Sequence, residues 1–84
     1  MNRFRFTEAA RSDLRRIDRE QAMKILLALT RYAKTGEGDI KQLKGSADYR
    51  LRVGDYRVRM RVLSDGTIRI AQVKHRREAY RRPD

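Results

Sequence analysis

Five arginines stand at alternate positions on either side of a two-residue break: Arg50 and Arg52 before Gly54-Asp55, and Arg57, Arg59 and Arg61 after it. A guanidinium holds phosphate through parallel N–H bonds and stabilises negative charge that builds on it during a reaction. It keeps its own charge at any relevant pH, so it clamps charge but does not shuttle protons. His75 is the only imidazole, the side-chain type that changes charge around neutral pH, which makes it the candidate general acid or base. The alternative for His75 is a residue that caps backbone groups at a strand end. Tyr80 adds a ring near the C-terminus, either for stacking on a base or for packing on the sheet edge. Arginines with a nearby ring suit a single-stranded nucleic acid, held by backbone charge and base stacking. On the residues alone, RNA and DNA both remain open. With no cysteine, one histidine and scattered carboxylates, no metal site and no cofactor are expected.

The charge balance points the same way. The chain has 84 residues, 22 Lys and Arg against 11 Asp and Glu, and a formal charge of +11. Residues 1–48 hold 11 basic and 7 acidic side chains, whereas residues 49–82 hold 11 basic and only 3 acidic. A solvated strand face normally interleaves both signs. Like charges set opposite each other across strands cost a few tenths of a kcal/mol per pair. A concentrated positive field of this kind predicts a polyanionic partner or an acidic protein. The longest apolar run, Ile25-Leu26-Leu27-Ala28-Leu29, is too short to span a bilayer. The N-terminus alternates where a signal peptide would need a continuous apolar core. A cytoplasmic protein is expected, with no membrane and no small-molecule substrate as partner.

These residues must be positioned by a small α+β domain spanning 1–84. Phe4 and Phe6 alternate with Arg3 and Arg5 and predict a strand. Thr7 caps a helix that runs to about Ile17 with Ala10, Leu14 and Ile17 on one side. Asp18 caps a second helix, with Gln21 placed to complete a capping-box-like pair, and Gly36 and Gly38 end it. Ala22, Ile25, Leu26, Leu29 and Tyr32 or Ala33 form its apolar seam, beside which Met23 and Leu27 are core margin or partner surface. From Tyr49 the period becomes 2. Gly54-Asp55 predicts a type II′ hairpin that sets Arg50 opposite Arg59 and Arg52 opposite Arg57. Tyr32, Tyr49 and Tyr56 read as core or core margin. Asp65-Gly66 turns into a last strand over Thr67–Lys74, where Ile68 and Ile70 alternate out of phase with Ala71 and Val73. The tail from His75 onward is polar and reads as half ordered. The expected order is β-α-α-β-β-β, an antiparallel sheet with a helical hairpin on one face.

Leu43-Lys44-Gly45, Tyr49-Arg50-Leu51-Arg52, Gly54-Asp55-Tyr56-Arg57-Val58 and Val73-Lys74-His75-Arg76-Arg77-Glu78-Ala79-Tyr80, with the opening strand and helical hairpin, resemble the RelE branch of the RelE/ParE toxin superfamily, over nearly the whole chain. The resemblance implies a RelE-like fold and the toxin of a type II toxin–antitoxin pair. Such a toxin is a metal-independent endoribonuclease that cuts mRNA in the ribosomal A site and is neutralised by a cognate acidic antitoxin. It carries catalytic roles onto Arg50, Arg52, Arg57, Arg76 and Tyr80, with His75 added from the residues themselves. Arg3, Lys44, Arg59, Arg61, Lys74, Arg77 and Arg81 are expected to contact RNA around them. The strand pair is lysine in the best-known members and arginine here, which suits charge clamping rather than proton transfer. The alternatives are a ParE-like toxin that acts on DNA gyrase without nuclease activity, and a non-enzymatic basic nucleic-acid-binding module.

Overall fold

In a computed structural model of the protein, which describes residues 3–81 with side chains through Glu78, Thr7 both ends the first strand and starts the first helix. Its N–H reaches Ile70 O, its hydroxyl donates to Ala71 O, and the same oxygen accepts the Ala10 N–H at 3.1 Å. Before it lies β1 (Phe4–Phe6), with both rings packed on the core and Arg5 exposed. After it comes α1 (Glu8–Arg16), closed by Ile17. Asp18 caps α2 (Arg19–Thr35) by accepting the Glu20 N–H at 3.2 Å, and Gly36 in the left-handed region ends that helix. The partner taken is Glu20, not Gln21. The sequence boundaries of both helices hold.

The sheet has five strands in the order β1-β5-β4-β3-β2. Two hairpins join β3 (Tyr49–Val53), β4 (Tyr56–Val62) and β5 (Ile68–His75). In the first hairpin Gly54 has φ 58°, and among the described residues none other than glycine has positive φ, so the two-residue turn is type II′ as expected. The pairing Arg50–Arg59 and Arg52–Arg57 follows.

The sequence expectation of β-α-α-β-β-β needs three corrections. First, β2 (Asp39–Gln42) precedes β3 and forms the far edge. Ile40 is its single apolar residue, so no alternation marks it, and its charged Asp39 and Lys41 suit an unpaired edge. Second, β1 pairs parallel to β5, so the sheet is mixed rather than antiparallel. Chain parity requires this: two helices return the chain so that β2 opposes β1, and three further reversals leave β5 running with β1. Third, a short helix missing from the expected order, α3 (Arg76–Arg81), follows β5.

The out-of-phase β5 sequence also resolves. A register shift lies where Arg59 pairs Gln72 and Met60 pairs Ile70, which leaves Ala71 as the extra residue of a β-bulge. One inserted residue shifts the alternation, so Ile68, Ile70 and Val73 all reach the core. They pack with Ala10, Ile25, Leu29, Leu51, Val58 and Met60. Burying each large apolar side chain contributes about 1.5–3 kcal/mol. Leu26, expected in the seam, is 38% exposed; Met23 and Leu27, at 51% and 65%, stand clear of the core.

Candidate nucleic-acid interface

The helices cover one face of the sheet, and the opposite face collects the cations. Cross-strand pairing lines up Lys41, Arg50, Arg59 and Gln72 in one row. A second row holds Asp39, Arg52, Arg57 and Lys74, and at the β1 side Arg61, Arg69 and Arg5 form a third. Lys41, Arg69 and Arg5 were not singled out from the sequence. The edge strand β2 decides the place of Lys41, and the bulge and the parallel pairing decide those of Arg69 and Arg5.

The carboxylates decide which of these cations are free. Asp39 pairs with Arg52 Nε at 3.1 Å. Asp48, 13% exposed, accepts from Arg59 Nε and from Arg61 Nε, each at 2.6 Å. Burial by itself would raise the Asp48 carboxyl, but the bonds and charges of Arg59 and Arg61 outweigh it and hold the group below the ordinary carboxylate value. The sequence reading missed Asp48, because it lies outside the alternating runs and reaches the face only through the fold of the β2–β3 loop. Ser46 Oγ accepts its N–H and Leu43 N–H donates to its carbonyl, which fixes that loop.

Arg50 and Arg57 are left. Arg50 Nε and Arg57 Nη1 are buried and meet no acceptor among the described residues. The two residues are diagonal neighbours across β3 and β4, about 7 Å apart, so both guanidinium groups can reach one anion. An unsatisfied buried donor costs about 1–3 kcal/mol, and more when charged. An anionic oxygen between them removes that cost. The four strand arginines of the two central rows thus divide into a carboxylate-paired set and an unpaired one.

The remaining expected residues fall elsewhere. Lys74 pairs with Arg57 in register, but its amine turns around the sheet edge to Asp13 Oδ1 at 2.9 Å. Asp13, 5% exposed on α1, also accepts the Val73 N–H at 2.9 Å, beyond the last residue that β1 pairs. His75 lies opposite Tyr56, on the helix side of the sheet, away from Arg50 and Arg57. Its ring meets Tyr56 edge-on at 5.3 Å in a cleft of about 190 Å³ shared with Asp13, Arg16 and Glu78. His75 Nδ1 accepts the Arg77 N–H at 3.2 Å, and the Glu78 carboxylate accepts the His75 N–H at 3.1 Å. That reciprocal pair is a capping box for α3, with Nδ1 committed to the backbone and Nε2 left to carry the proton of a neutral ring. The capping role is thus present in the geometry.

Arg76 N–H donates to Asp55 O at 2.7 Å, which ties the start of α3 to the β3–β4 turn, two residues from Arg57. Arg77 is exposed beside it. Arg3 lies at the β1 edge, three strands from Arg50, and its charge acts on Asp65. Lys44 and Lys41 border a broad cleft of about 680 Å³ with Arg50. The side chains of Tyr80 and Arg81 lie outside the described residues.

Residues 4–80 match the model of the ParE toxin of the type II toxin–antitoxin system, parDE. The chain belongs to that toxin family. Within the wider RelE/ParE superfamily the toxin's fold is RelE-like. It matches the RelE chain of a RelB–RelE antitoxin–toxin complex from Methanococcus jannaschii with a TM-score of 0.76 and 29% identity, covering 92% of this chain and 95% of that one. The archaeal RelE–RelB complex from Pyrococcus horikoshii OT3 gives 0.76 at 24% identity, covering 89% and 94%. Isolated E. coli RelE gives 0.74 at 16% identity over 94% and 95%, a likeness of fold. No curated protein matches the toxin's sequence. Among the described residues no helix is long and apolar enough to cross a membrane.

Proposed function

We propose that the toxin is an endoribonuclease that grips mRNA on the open sheet face and cuts it in the ribosomal A site, so arresting translation in the cytoplasm. The carrying observation is the pair of buried, unpartnered guanidinium nitrogens, Arg50 Nε and Arg57 Nη1, on that face. The likeness to RelE chains supports the same reading. Arg57 takes the scissile phosphate, joined by Arg76, whose backbone is anchored at the adjoining turn. Arg50 shares that phosphate from its diagonal strand position, and Arg52 holds the neighbouring backbone and favours the ionised 2′-oxygen. Tyr80 stacks on or orients the cut nucleotide. Cleavage at the 2′-oxygen removes one proton there and returns one to the 5′-oxygen leaving group. Arginine does neither, and His75 lies on the helix side of the sheet as a cap, which leaves Tyr80 and solvent as the groups able to move a proton. The partner that silences the toxin is an acidic antitoxin. The RelB-bound relatives support a protein inhibitor, and the +11 charge with exposed Met23 and Leu27 suits an acidic chain bearing apolar side chains.

The match to the ParE toxin model favours one other reading, a gyrase-directed toxin without nuclease activity. The test is purified toxin added to ribosomes programmed with a defined mRNA, with cuts mapped by primer extension. Cleavage is expected, and Arg57→Ala lowers its rate roughly a hundredfold or more. Intact mRNA together with gyrase-dependent DNA breaks on expression overturns the proposal.

A further inference from the structure

If Arg50 and Arg57 hold one phosphate, a bound strand must leave that point in some direction, and the charges around it are not symmetric. On the other side of Arg50 the adjacent cations are Arg59 and Arg61 on β4, both with Nε already bound to the Asp48 carboxylate, and exposed Arg69 and Arg5 lie only beyond them. A phosphate approaching there meets a negative charge that is itself well paired. Toward β2 the situation reverses. Lys41 lies directly beside Arg50 in the sheet, and Lys44 follows in the β2–β3 loop. Both are exposed, neither is in an ion pair among the described residues, and no acidic side chain lines the cleft they share with Arg50.

The loop that forms this cleft is held open. The Leu43 and Ser46 backbone bonds brace it, and the space above Gly45 is empty, so that a bound group can approach the backbone closely. Its volume of about 680 Å³ lies in the range of sites that take small organic ligands. Arg50 borders both places, which makes the cleft continuous with the first phosphate position.

We infer that the β2–β3 cleft is a second phosphodiester subsite formed by Lys41, Lys44 and Arg50, so that a bound single strand runs from Arg57 across Arg50 and leaves over the β2 edge, while Asp48 closes the opposite path. This rests on the reading of Arg50 and Arg57 as a phosphate site. It adds a direction to that site and gives Asp48 the role of a residue that selects one path over the other.

The test measures binding of 2′-O-methyl oligoribonucleotides, which cannot be cut at the 2′-oxygen, by fluorescence anisotropy over a range of salt concentrations. Each phosphate contact on a single strand contributes about 0.7 to the slope of log affinity against log salt. Lys41→Ala with Lys44→Ala removes that one contact and flattens the slope by about 0.7 for a tetranucleotide. The loss is smaller for a dinucleotide, whose single internal phosphate sits between Arg50 and Arg57. Asp48→Asn frees Arg59 and Arg61 and steepens the slope by a similar amount, an increase that Arg59→Gln with Arg61→Gln in the same chain removes. Thermal melts confirm that each variant is folded. An unchanged slope in the lysine variant, alongside a flattened one in Arg50→Ala with Arg57→Ala, overturns the second subsite and leaves the first standing. Unchanged slopes in both overturn the phosphate site as well.

Discussion

Replacing Arg57 with methionine should stabilise the free toxin while abolishing its activity. In the folded chain Arg57 Nη1 is buried without an acceptor, a state that costs about 1–3 kcal/mol. Arg57 also faces Arg52 directly across the sheet, which adds a few tenths of a kcal/mol of repulsion. Arg52 is relieved in part by Asp39, so the repulsive part is the smaller one. Methionine keeps most of the apolar stem that covers the sheet, so little packing is lost. The balance is a gain of about 1 kcal/mol, or about 4–8 °C in Tm for a domain of this size. Circular dichroism melts in a buffer free of phosphate and sulfate measure it. A 2′-O-methyl oligonucleotide at a hundred times its Kd should then raise the wild-type stability by about 2.7 kcal/mol and the Arg57→Met protein by far less. A Tm that falls in Arg57→Met, or equal stabilisation of both proteins by the oligonucleotide, refutes the idea that this guanidinium is held ready for an anion.

Two further outcomes follow from the residues around it. His75→Asn should keep both the α3 cap and most of the cleavage rate, because asparagine is a good helix cap, whereas His75→Ala should lose the cap at a cost of about 0.5–2 kcal/mol. Amide exchange at Arg77 reads the cap, and equal loss of cleavage in the two variants would show that the imidazole moves a proton instead. Asp48 should produce a step in acid stability: its carboxyl is held below its ordinary value of 3.8, so its contribution is complete above that value and is lost as pH falls through the lower folded one. Urea midpoints between pH 5 and pH 2 should therefore drop more steeply for the wild type than for Asp48→Asn, and parallel curves would remove the linkage.

Local chemistry made much of this molecule legible in sequence. Thr7, Asp18 and Gly36 bound their helices because capping depends on one or two neighbours, and Gly54-Asp55 fixes its hairpin because a two-residue turn sets the register of both strands. What stayed hidden depends on distant partners. β2 has one apolar residue and exists because β3 offers it an edge. The phase of β5 is decided by a bulge at Ala71, beside the Thr7 hydroxyl that bonds the Ala71 carbonyl, 64 positions away in sequence. For the candidate site, the strand positions of Arg50, Arg52, Arg57, Arg59 and Arg61 were readable, but their division was not. Which arginines are neutralised depends on Asp48 and Asp39, and neither belongs to the alternating pattern. His75 illustrates the converse, since a single imidazole attracts a chemical reading while its neighbours Arg77 and Glu78 occupy it as a cap.

The parallel pair of β1 with β5 bears on how the chain is made. Synthesis begins at the N-terminus, yet among the described residues Phe4–Phe6 pair only with residues 68–70, and Thr7 completes its bonds on Ile70 and Ala71. The first strand must therefore wait for β5 before it can add to a sheet, while the helices and the β2–β3–β4 meander can form from neighbouring segments. Asp13 waits as well, since both Val73 and Lys74 lie beyond that point. Strand β5 thus locks the first strand into place, so closure of the sheet on the β1 side follows formation of the meander.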